Sequence, residues 1–541
     1  MPEQIPWLTL LTFSPLIGIL VMLFLPRTNS RAIRVTAIAA TAIPLVLALW
    51  LFAQFDPSAV GNAYSEQVDW ISIALNHEAV GGVTSSSYVF QYHMAADGLS
   101  LPLIVLAALV ASMAALASVS VTKRWKSFYI WFLLLEIGML GVFLARDLVL
   151  FFLFFELTLI SLFFLIGIWG YFNREKAANT FLIYNGLGSA IMLLAFVMLI
   201  VTAGFGTVTT DAGLGLVYSG SYDTIAANLA DPAAFVNMMQ EEGLDGTAPF
   251  YMSDGMQWTV FILLLVAFGI KLPVLPFHSW MLRVHTEAPP SVVMIHSGVL
   301  LKMGAYGMLR FGIFLFPEQA EDAAFVLALL GVANILYGAI LAFVQKEFKL
   351  VLAYSSISHM GIVLLGIASL NEIGLQGAVF QLVSHGLISA LLFLIVGCLY
   401  ERTGTTELPL LGGLARSMPF MSGILLVGGM ASLGLPGLSG FVGEFLSFLG
   451  LFESMRWITA VACIGVILTA VYVLRAVLKI TFGGLPESLA GLKDARLIEA
   501  VPMIALLAFI VLLGLYPAVL TDSMQHGFDR LLEQLNSRVG G

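Results

Sequence analysis

Charge and cysteine are what this sequence has least of. Only 11% of its 541 residues are charged, against roughly a quarter in a soluble globular chain, which excludes an ordinary cytosolic enzyme. The two cysteines, Cys398 and Cys463, both lie in apolar runs. They supply neither a disulfide framework nor a ligand set for zinc or an iron–sulfur centre. A chain of net charge −9 with no basic stripe offers nothing to nucleic acid. No G-x-G-x-x-G follows a strand pattern and no P-loop lysine motif occurs, so nucleotide chemistry is not expected here. The first apolar run has no basic region before it and no small-residue cleavage site after it. It is expected to be a retained helix rather than a signal peptide.

Apolar length is what the sequence has in abundance. Hydrophobic residues make up 60% of it, and the mean hydropathy is +0.98. Runs such as 8–25, 148–169, 180–201 and 500–515 are long enough to cross a bilayer, which takes about 20 residues per helix. Cutting at the polar and Gly/Pro breaks predicts an all-α polytopic membrane protein with about fourteen transmembrane helices. The spans are 6–26, 33–53, 98–121, 127–145, 148–170, 177–203, 257–281, 290–311, 322–344, 349–370, 373–400, 413–451, 457–480 and 498–517. Two are discontinuous. The seventh contains Pro273 and Pro276, and the twelfth is interrupted by Gly434, Pro436, Gly437 and Gly440. Such breaks persist at membrane depth only where protein or a wet cavity satisfies the freed backbone.

The basic residues orient these spans. Arg27, Arg31, Arg34, Lys123, Arg124, Lys126, Arg174, Lys176, Arg283, Lys346, Lys349, Arg402, Arg416, Lys479, Lys493 and Arg496 fall on one set of alternating connections. The other set holds only Arg146, Arg310, Arg456, Arg530 and Arg538. Loop 54–97 has no lysine or arginine, and neither does loop 204–256, which is acidic through Asp211, Asp223, Asp231, Glu241, Glu242, Asp245 and Asp254. The positive-inside rule then puts both termini and the acidic loops on the extracytoplasmic side.

Of the 24 lysines and arginines, Lys271, Lys302 and Arg475 remain, and these lie within spans. A charge near the bilayer centre is costly and usually faces a bundle interior with a partner. Glu136, Glu156, Lys271, Lys302, His278, His296, His359, His385, Glu444 and Arg475 recur about once per span from the fourth to the thirteenth. Glu156 sits mid-span among phenylalanines, where it cannot snorkel. A desolvated lysine loses its proton readily and an arginine does not, so lysine at 271 and 302 suits proton exchange. The bland alternatives are that the lysines are static helix glue and that Glu136 only stabilises a neighbouring lysine. The histidines are equally interhelical hydrogen bonders, and their weight is collective. His278 and His285, near the cytoplasmic end of the seventh span, read as a proton uptake site or as interface residues. Arg475 is close enough to the cytoplasmic end to snorkel.

The two broken spans hold comparable places in two sets of five, spans 4–8 and 9–13. An odd number of spans per repeat inverts the second copy, and inverted repeats with discontinuous helices are transporter architecture. The expected organisation is an N-terminal three-helix segment (1–126), a first half-channel (127–315, with loop 204–256), a second half-channel (316–482), and a C-terminal helix and tail (483–541). From the residues alone this is a proton or cation translocator.

Several motifs carry a resemblance to a family. Phe268-Gly-Ile-Lys271-Leu-Pro273-Val-Leu-Pro276-Phe-His278-Ser-Trp280, Glu287-Ala-Pro289 and Leu301-Lys302-Met-Gly304-Ala-Tyr306-Gly307 resemble the core of the antiporter-like subunits of respiratory complex I. So do Leu352-Ala-Tyr354-Ser-Ser-Ile-Ser358-His359-Met-Gly361 and Ser384-His385-Gly386. The same superfamily includes large subunits of Mrp-type Na+/H+ antiporters and of membrane-bound hydrogenases. A glutamate at 444, after Gly434-Leu-Pro436-Gly437, resembles the M (mitochondrial chain 4) type, since the L and N types have lysine there. The segment His385-Gly-Leu-Ile to Tyr400-Glu-Arg402-Thr403 resembles the photosynthetic relatives of that type.

The resemblance implies a proton-pumping subunit in the membrane arm of an NADH:quinone oxidoreductase, a translocase without a redox centre on this chain. NADH, FMN, iron–sulfur clusters and quinone would belong to partner subunits. Neighbouring L- and N-type chains, the lipid bilayer and protons would be its partners, and a bacterial plasma membrane its location. By position, Glu156 and Lys271 resemble the family's glutamate–lysine pair and Lys302 its central lysine. Glu444 resembles the exit-side acid and Glu136 an additional acid. His296, His359 and His385 resemble the hydrophilic axis between them. Three other functions stay open: an Mrp-type or hydrogenase-linked subunit, and a structural spacer of the membrane arm.

Overall fold

The computed structural model describes residues 5–57, 64–75, 83–210, 213–238, 250–525, 527–529, 531–533 and 535. Asp211, Glu241, Glu242, Asp245, Arg530 and Arg538, weighed above in orienting the loops, lie outside the described residues.

Apolar side chains on every face let a helix sit in lipid, where all backbone groups must pair within the segment. The helices are α1 (Trp7–Phe24), α2 (Ser30–Ala53), α3 (Ser100–Ala117), α4 (Trp125–Leu144), α5 (Leu148–Trp169) and α6 (Arg174–Thr202). A short α7 (Tyr222–Ala230) precedes α8 (Asp254–Lys271) and α9 (Ser279–Glu287). Then come α10 (Pro290–Ile313), α11 (Pro317–Val344), α12 (Phe348–Ala368) and α13 (Glu372–Thr403). The chain continues with α14 (Pro419–Ser432), α15 (Ser439–Ser454), α16 (Arg456–Thr481), α17 (Leu497–Leu515) and the short α18 (Ala518–Met524). Thirteen of these, among the described residues, are long and apolar enough to cross a membrane. The α14–α15 pair makes one further broken span, in agreement with about fourteen.

Polar residues at helix starts fix where each span begins. The Asn29 side chain accepts from Ala32 N at the start of α2, and Asp147 accepts from Val149 N and Leu150 N at the start of α5. Asn371 does the same for α13 through Gly374 N. These are the side-chain oxygens that orphan first-turn amides require.

Burial is uneven across the bundle. The most apolar windows of α10 and α13 are wholly enclosed by other helices. By contrast α1, α2, α16 and α17 expose large apolar side chains such as Phe24, Val46, Ile467 and Leu515. That surface suits lipid or partner helices and would be a liability in water. The centre of the molecule is therefore α10 against α13, with the two broken spans beside them.

The long loops between α2 and α3 and between α6 and α8 carry strands, which the sequence reading had left without structure. They are β1 (Tyr64–Leu75), β2 (Val83–Ala96), β3 (Phe205–Thr210) and β4 (Gly213–Ser219), in sheet order β1-β2-β4-β3. β1 and β2 are antiparallel from Tyr64 opposite Ala96 to Leu75 opposite Ser86. β2 then runs parallel to β4, with Tyr88 opposite Tyr218, and β4 is antiparallel to β3. This sheet covers one end of the bundle, called the sheet face below. The opposite end, where most of the lysines and arginines gather, is called the basic face.

Candidate functional site: a buried polar axis

Both broken spans interrupt where the prolines and glycines stand. α8 ends at Lys271 and α9 begins at Ser279, so Pro273 and Pro276 occupy the gap. The exposed backbone there finds partners outside its own helix. Leu275 N donates to Asn334 Oδ1 (2.9 Å), Asn334 Nδ2 donates to Pro273 O (3.4 Å), and Trp280 Nε1 donates to Ile270 O (3.1 Å). α14 ends at Ser432 and α15 begins at Ser439, leaving Gly434, Pro436 and Gly437 between them and Gly440 in the first turn of α15. Gly434 has φ +78°, and a Cβ there would fall 2.5 Å from Glu444 Oε2. The break thus makes room for the Glu444 carboxylate, which is buried at 6% exposure.

Between the breaks runs a line of enclosed polar side chains. His285 of α9 and His296 of α10 are joined Nε2 to Nδ1 at 2.9 Å. Lys271 and Lys302 both act electrostatically on His296. Lys302 Nζ donates to Ser297 O and approaches His385 Nδ1 on α13 at 2.8 Å. The His385 ring lies 5.2 Å, centre to centre, from that of His359 on α12. His359 Nδ1 stands 3.4 Å from Glu444 Oε1. Hence His285, His296, Lys302, His385, His359 and Glu444 form one sequence of neighbours across both halves. Two π-type turns, His296–Leu300 and Met308–Ile313, flank Lys302 in α10. Such bulges re-aim side chains within a helix and are frequent at functional sites.

Lys271 and Glu156 stand to one side of that line. Lys271 is 1% exposed, and its Nζ has no hydrogen-bond partner among the described residues. It lies over the rings of Phe155 (4.8 Å) and Phe181 (5.6 Å), a cation–π arrangement. Glu156 is the carboxylate that acts on it electrostatically, without a direct ion pair, and Glu156 is only partly buried. Glu136 is fully buried, and neither of its oxygens has a hydrogen-bond partner among the described residues. Among the described residues no lysine is paired to it.

The two histidines expected together near the cytoplasmic end part company. His278 is partly exposed in the α8–α9 break and meets Tyr337 Oη at 3.1 Å. His285 is 1% exposed, because the turn of α9 carries it back into the bundle against His296 and the Phe393 ring. Arg475 is exposed and reaches back to Phe343 O, near the C-terminal end of α11 where carbonyls favour a cation.

Other site residues went unnoticed in the sequence. Gln381 Nε2 meets His359 Nδ1 at 3.3 Å and Ser432 Oγ meets its Nε2 at 3.5 Å. A cavity of about 10 Å³, room for at most one water, lies beside His385 among Ser355, Ser356, Ser389 and Ser432. The available signal was a lone amide inside an apolar span: Gln381 stands one helical turn before His385, and Asn334 is the only amide within span 322–344. No group of three His, Cys, Asp or Glu side chains among the described residues could hold a metal ion.

Known proteins resemble this chain over most of its length. The family described as "NADH:quinone oxidoreductase/Mrp antiporter, TM" matches residues 145–469, which takes in all of the axis. The chain is 36% identical to "NADH-quinone oxidoreductase subunit M" of Rhodobacter capsulatus, over 98% of each chain. It is also 36% identical to "NAD(P)H-quinone oxidoreductase chain 4 1" of Synechococcus elongatus, over 99% of this chain and 93% of that one. Among solved structures, it superposes on a chain of respiratory complex I from Thermus thermophilus with a TM-score of 0.77. That match has 30% identity and covers 97% and 99% of the two chains. The chain therefore belongs to the NADH:quinone oxidoreductase/Mrp antiporter transmembrane family, as a homologue of its subunit M (chain 4) members.

Proposed function

We propose that the chain is the proton-translocating, antiporter-like subunit of a membrane-bound NADH:quinone oxidoreductase. The observation that carries this reading is the buried series His285, His296, Lys302, His385, His359, Glu444, in direct contact at every step except that from His296 to Lys302. A passive spacer has no need of two desolvated lysines at the heart of the bundle. Likeness over the full length to subunit M and chain 4 proteins favours a redox-driven partner over an Mrp-type one.

The basic face is the cytoplasmic one and both termini lie on the other side, in a bacterial plasma membrane. Residues 127–315 and 316–482 act as two inverted half-channels. A proton taken up near His278 is held on Lys271 or Lys302. Glu156, partly exposed on α5, senses a charge change in a neighbouring L- or N-type subunit. Moving its carboxylate away from Lys271 removes support for the charged lysine, and the proton passes on through the histidines to Glu444. Glu136 is a further acid beside this route. Electrons never visit this chain: NADH, FMN, iron–sulfur clusters and quinone belong to partner subunits.

Purification of the tagged chain in mild detergent tests the reading. NADH-reducible flavin and iron–sulfur spectra should co-purify with it, and the reconstituted assembly should acidify one side when given NADH and quinone. Recovery in an assembly that exchanges sodium for protons without any redox partner would assign it instead to the antiporter branch.

A further inference from the structure

The polar axis reaches Glu444 through the second half, which leaves open how the first half is closed toward the sheet face. A cavity of about 310 Å³ opens there, lined among others by Tyr222, Gln257, Phe314, Glu318 and Gln319. Its inner wall is aromatic. The rings of Tyr222 and Phe314 lie 5.6 and 6.0 Å from the Arg310 guanidinium, and the Tyr306 ring lies 5.3 Å from it on the far side. Arg310 is 5% exposed and follows Lys302 on the same helix by eight residues, about 12 Å of rise. Arg310 thus stands against the cavity's aromatic wall, on the same helix as the central lysine.

Arg310 is fixed rather than mobile. Its Nη2 donates to both oxygens of Asp97 (2.8 and 2.7 Å), and Asp97 also accepts from Arg146 Nη2 at 2.5 Å. The Tyr222 ring lies between the two guanidiniums, 5.2 Å from that of Arg146. Asp223 lies 3.7 Å from Arg146 and 3.9 Å from His93 of β2. Beside this knot, Phe311 packs against Phe151 (4.7 Å), Phe196 (5.1 Å) and Phe268 (6.0 Å), a dry collar around the end of α10.

We propose that Arg310, clamped by Asp97 and ringed by Tyr222, Tyr306 and Phe314, is an electrostatic plug. It keeps protons from passing between the sheet-face cavity and Lys302, so that the first half opens toward the basic face alone. An arginine suits this role because it stays charged under all accessible conditions and so cannot relay the proton it repels. The collar removes the water that would otherwise screen the charge or carry the proton past it. The proposal rests on the proton-translocating reading, but its test needs no pumping.

The assembled complex is reconstituted into vesicles holding a pH-sensitive dye. A pH step is imposed without NADH, and the decay of the gradient is followed. Arg310→Gln should speed that decay about tenfold, the effect of one unit charge acting across about 12 Å at an effective dielectric constant of 20. Asp97→Asn keeps the arginine at the plug and should stay as tight as the parent, whereas Arg310→Lys, a cation that can release its proton, should leak as Arg310→Gln does. If Arg310→Gln fails to assemble, Arg310→Lys, which keeps the ion pair with Asp97 but can release its proton, is read in its place. A parental decay rate in an assembled variant lacking the arginine overturns the proposal. Equal leakage from Asp97→Asn and Arg310→Gln also overturns it, because then the knot matters only as a structural tie. A failure of NADH-driven pumping in the parent would bear on the proposed function and leave the leak measurement intact.

Discussion

Lys302 Nζ lies 2.8 Å from His385 Nδ1, and this contact joins α10 of the first half to α13 of the second. Both side chains sit at the centre of the bundle, at 0% and 5% exposure. A cation donating to an imidazole nitrogen is the geometry from which a proton can change owner without either group moving far. In the proposed function, this contact is the point at which the two halves become one route.

Lys302 should be irreplaceable for transfer and replaceable for charge. Lys302→Arg keeps a cation but cannot release its proton at any accessible pH. NADH-driven acidification should fall to background in Lys302→Arg and Lys302→Met alike, while electron transfer to quinone persists in part. Proton-to-electron ratios in reconstituted vesicles decide the matter. A Lys302→Arg complex pumping at the parent ratio would mean that the lysine only fixes α10 to α13.

Gln381 should set the pace of the last step before Glu444. Its amide lies 3.3 Å from His359 Nδ1, and Glu444 Oε1 lies 3.4 Å from the same nitrogen. One ring nitrogen cannot serve a donor and a carboxylate at once, so the Gln381 contact competes with the Glu444 contact. Gln381→Leu removes one hydrogen bond of about 1 kcal/mol, and pumping should change about fivefold with assembly intact. The pH profile of pumping should shift in Gln381→Leu and return in Gln381→Asn, whose amide can be reached by a water. A change in yield with no change in profile would make Gln381 a packing residue only.

Gly434 holds Glu444 in place by having no side chain. Its φ of +78° costs an L-residue about 1 kcal/mol or more, and a Cβ would press on Glu444 Oε2 at 2.5 Å. Gly434→Ala should therefore cost pumping more than it costs assembly. Gly404, with φ +70° at the end of α13 and nothing within 4 Å of a Cβ, is the control. Gly404→Ala carries a similar backbone penalty and should pump normally once assembled.

How much of this was legible in the sequence depended on whether a residue's role was set by its own helix or by another. The spans, the two breaks, and the acids and bases within them follow from hydropathy, proline and glycine, because lipid imposes one rule on every segment. Lys302 and His385 could be named separately, but their contact joins residues on different helices and carries no local pattern. The strands were missed for a related reason: β2 pairs with β4 across most of the first half, and β1, exposed along nearly all of its 12 residues, has no buried face to mark it. His285 looked like a residue at an aqueous mouth because it follows a span, and only the turn of α9 carries it inside. Asp97 drew no notice as one acid in a long loop, although two buried arginines converge on it.

That carboxylate gives the most direct measure of what the knot contributes to stability. Burial alone would raise the Asp97 pKa, but the charges of Arg310 and Arg146 outweigh it and hold the carboxyl well below its usual range. A group with a depressed native pKa stabilises the fold above its unfolded value, near pH 4 for aspartate, and loses that contribution as pH falls toward the native value. Asp97→Asn removes one partner of a largely buried ion pair, a loss of about 3 kcal/mol. In thermal unfolding of the assembled complex, the variant should melt below the parent by a constant margin from pH 8 down to pH 5. The margin should shrink only below about pH 4, where the unfolded parent takes up a proton and the native knot resists one. A margin that narrows between pH 7 and 6 would instead assign the pH dependence to a histidine such as His93, 3.9 Å from Asp223 in the same cluster.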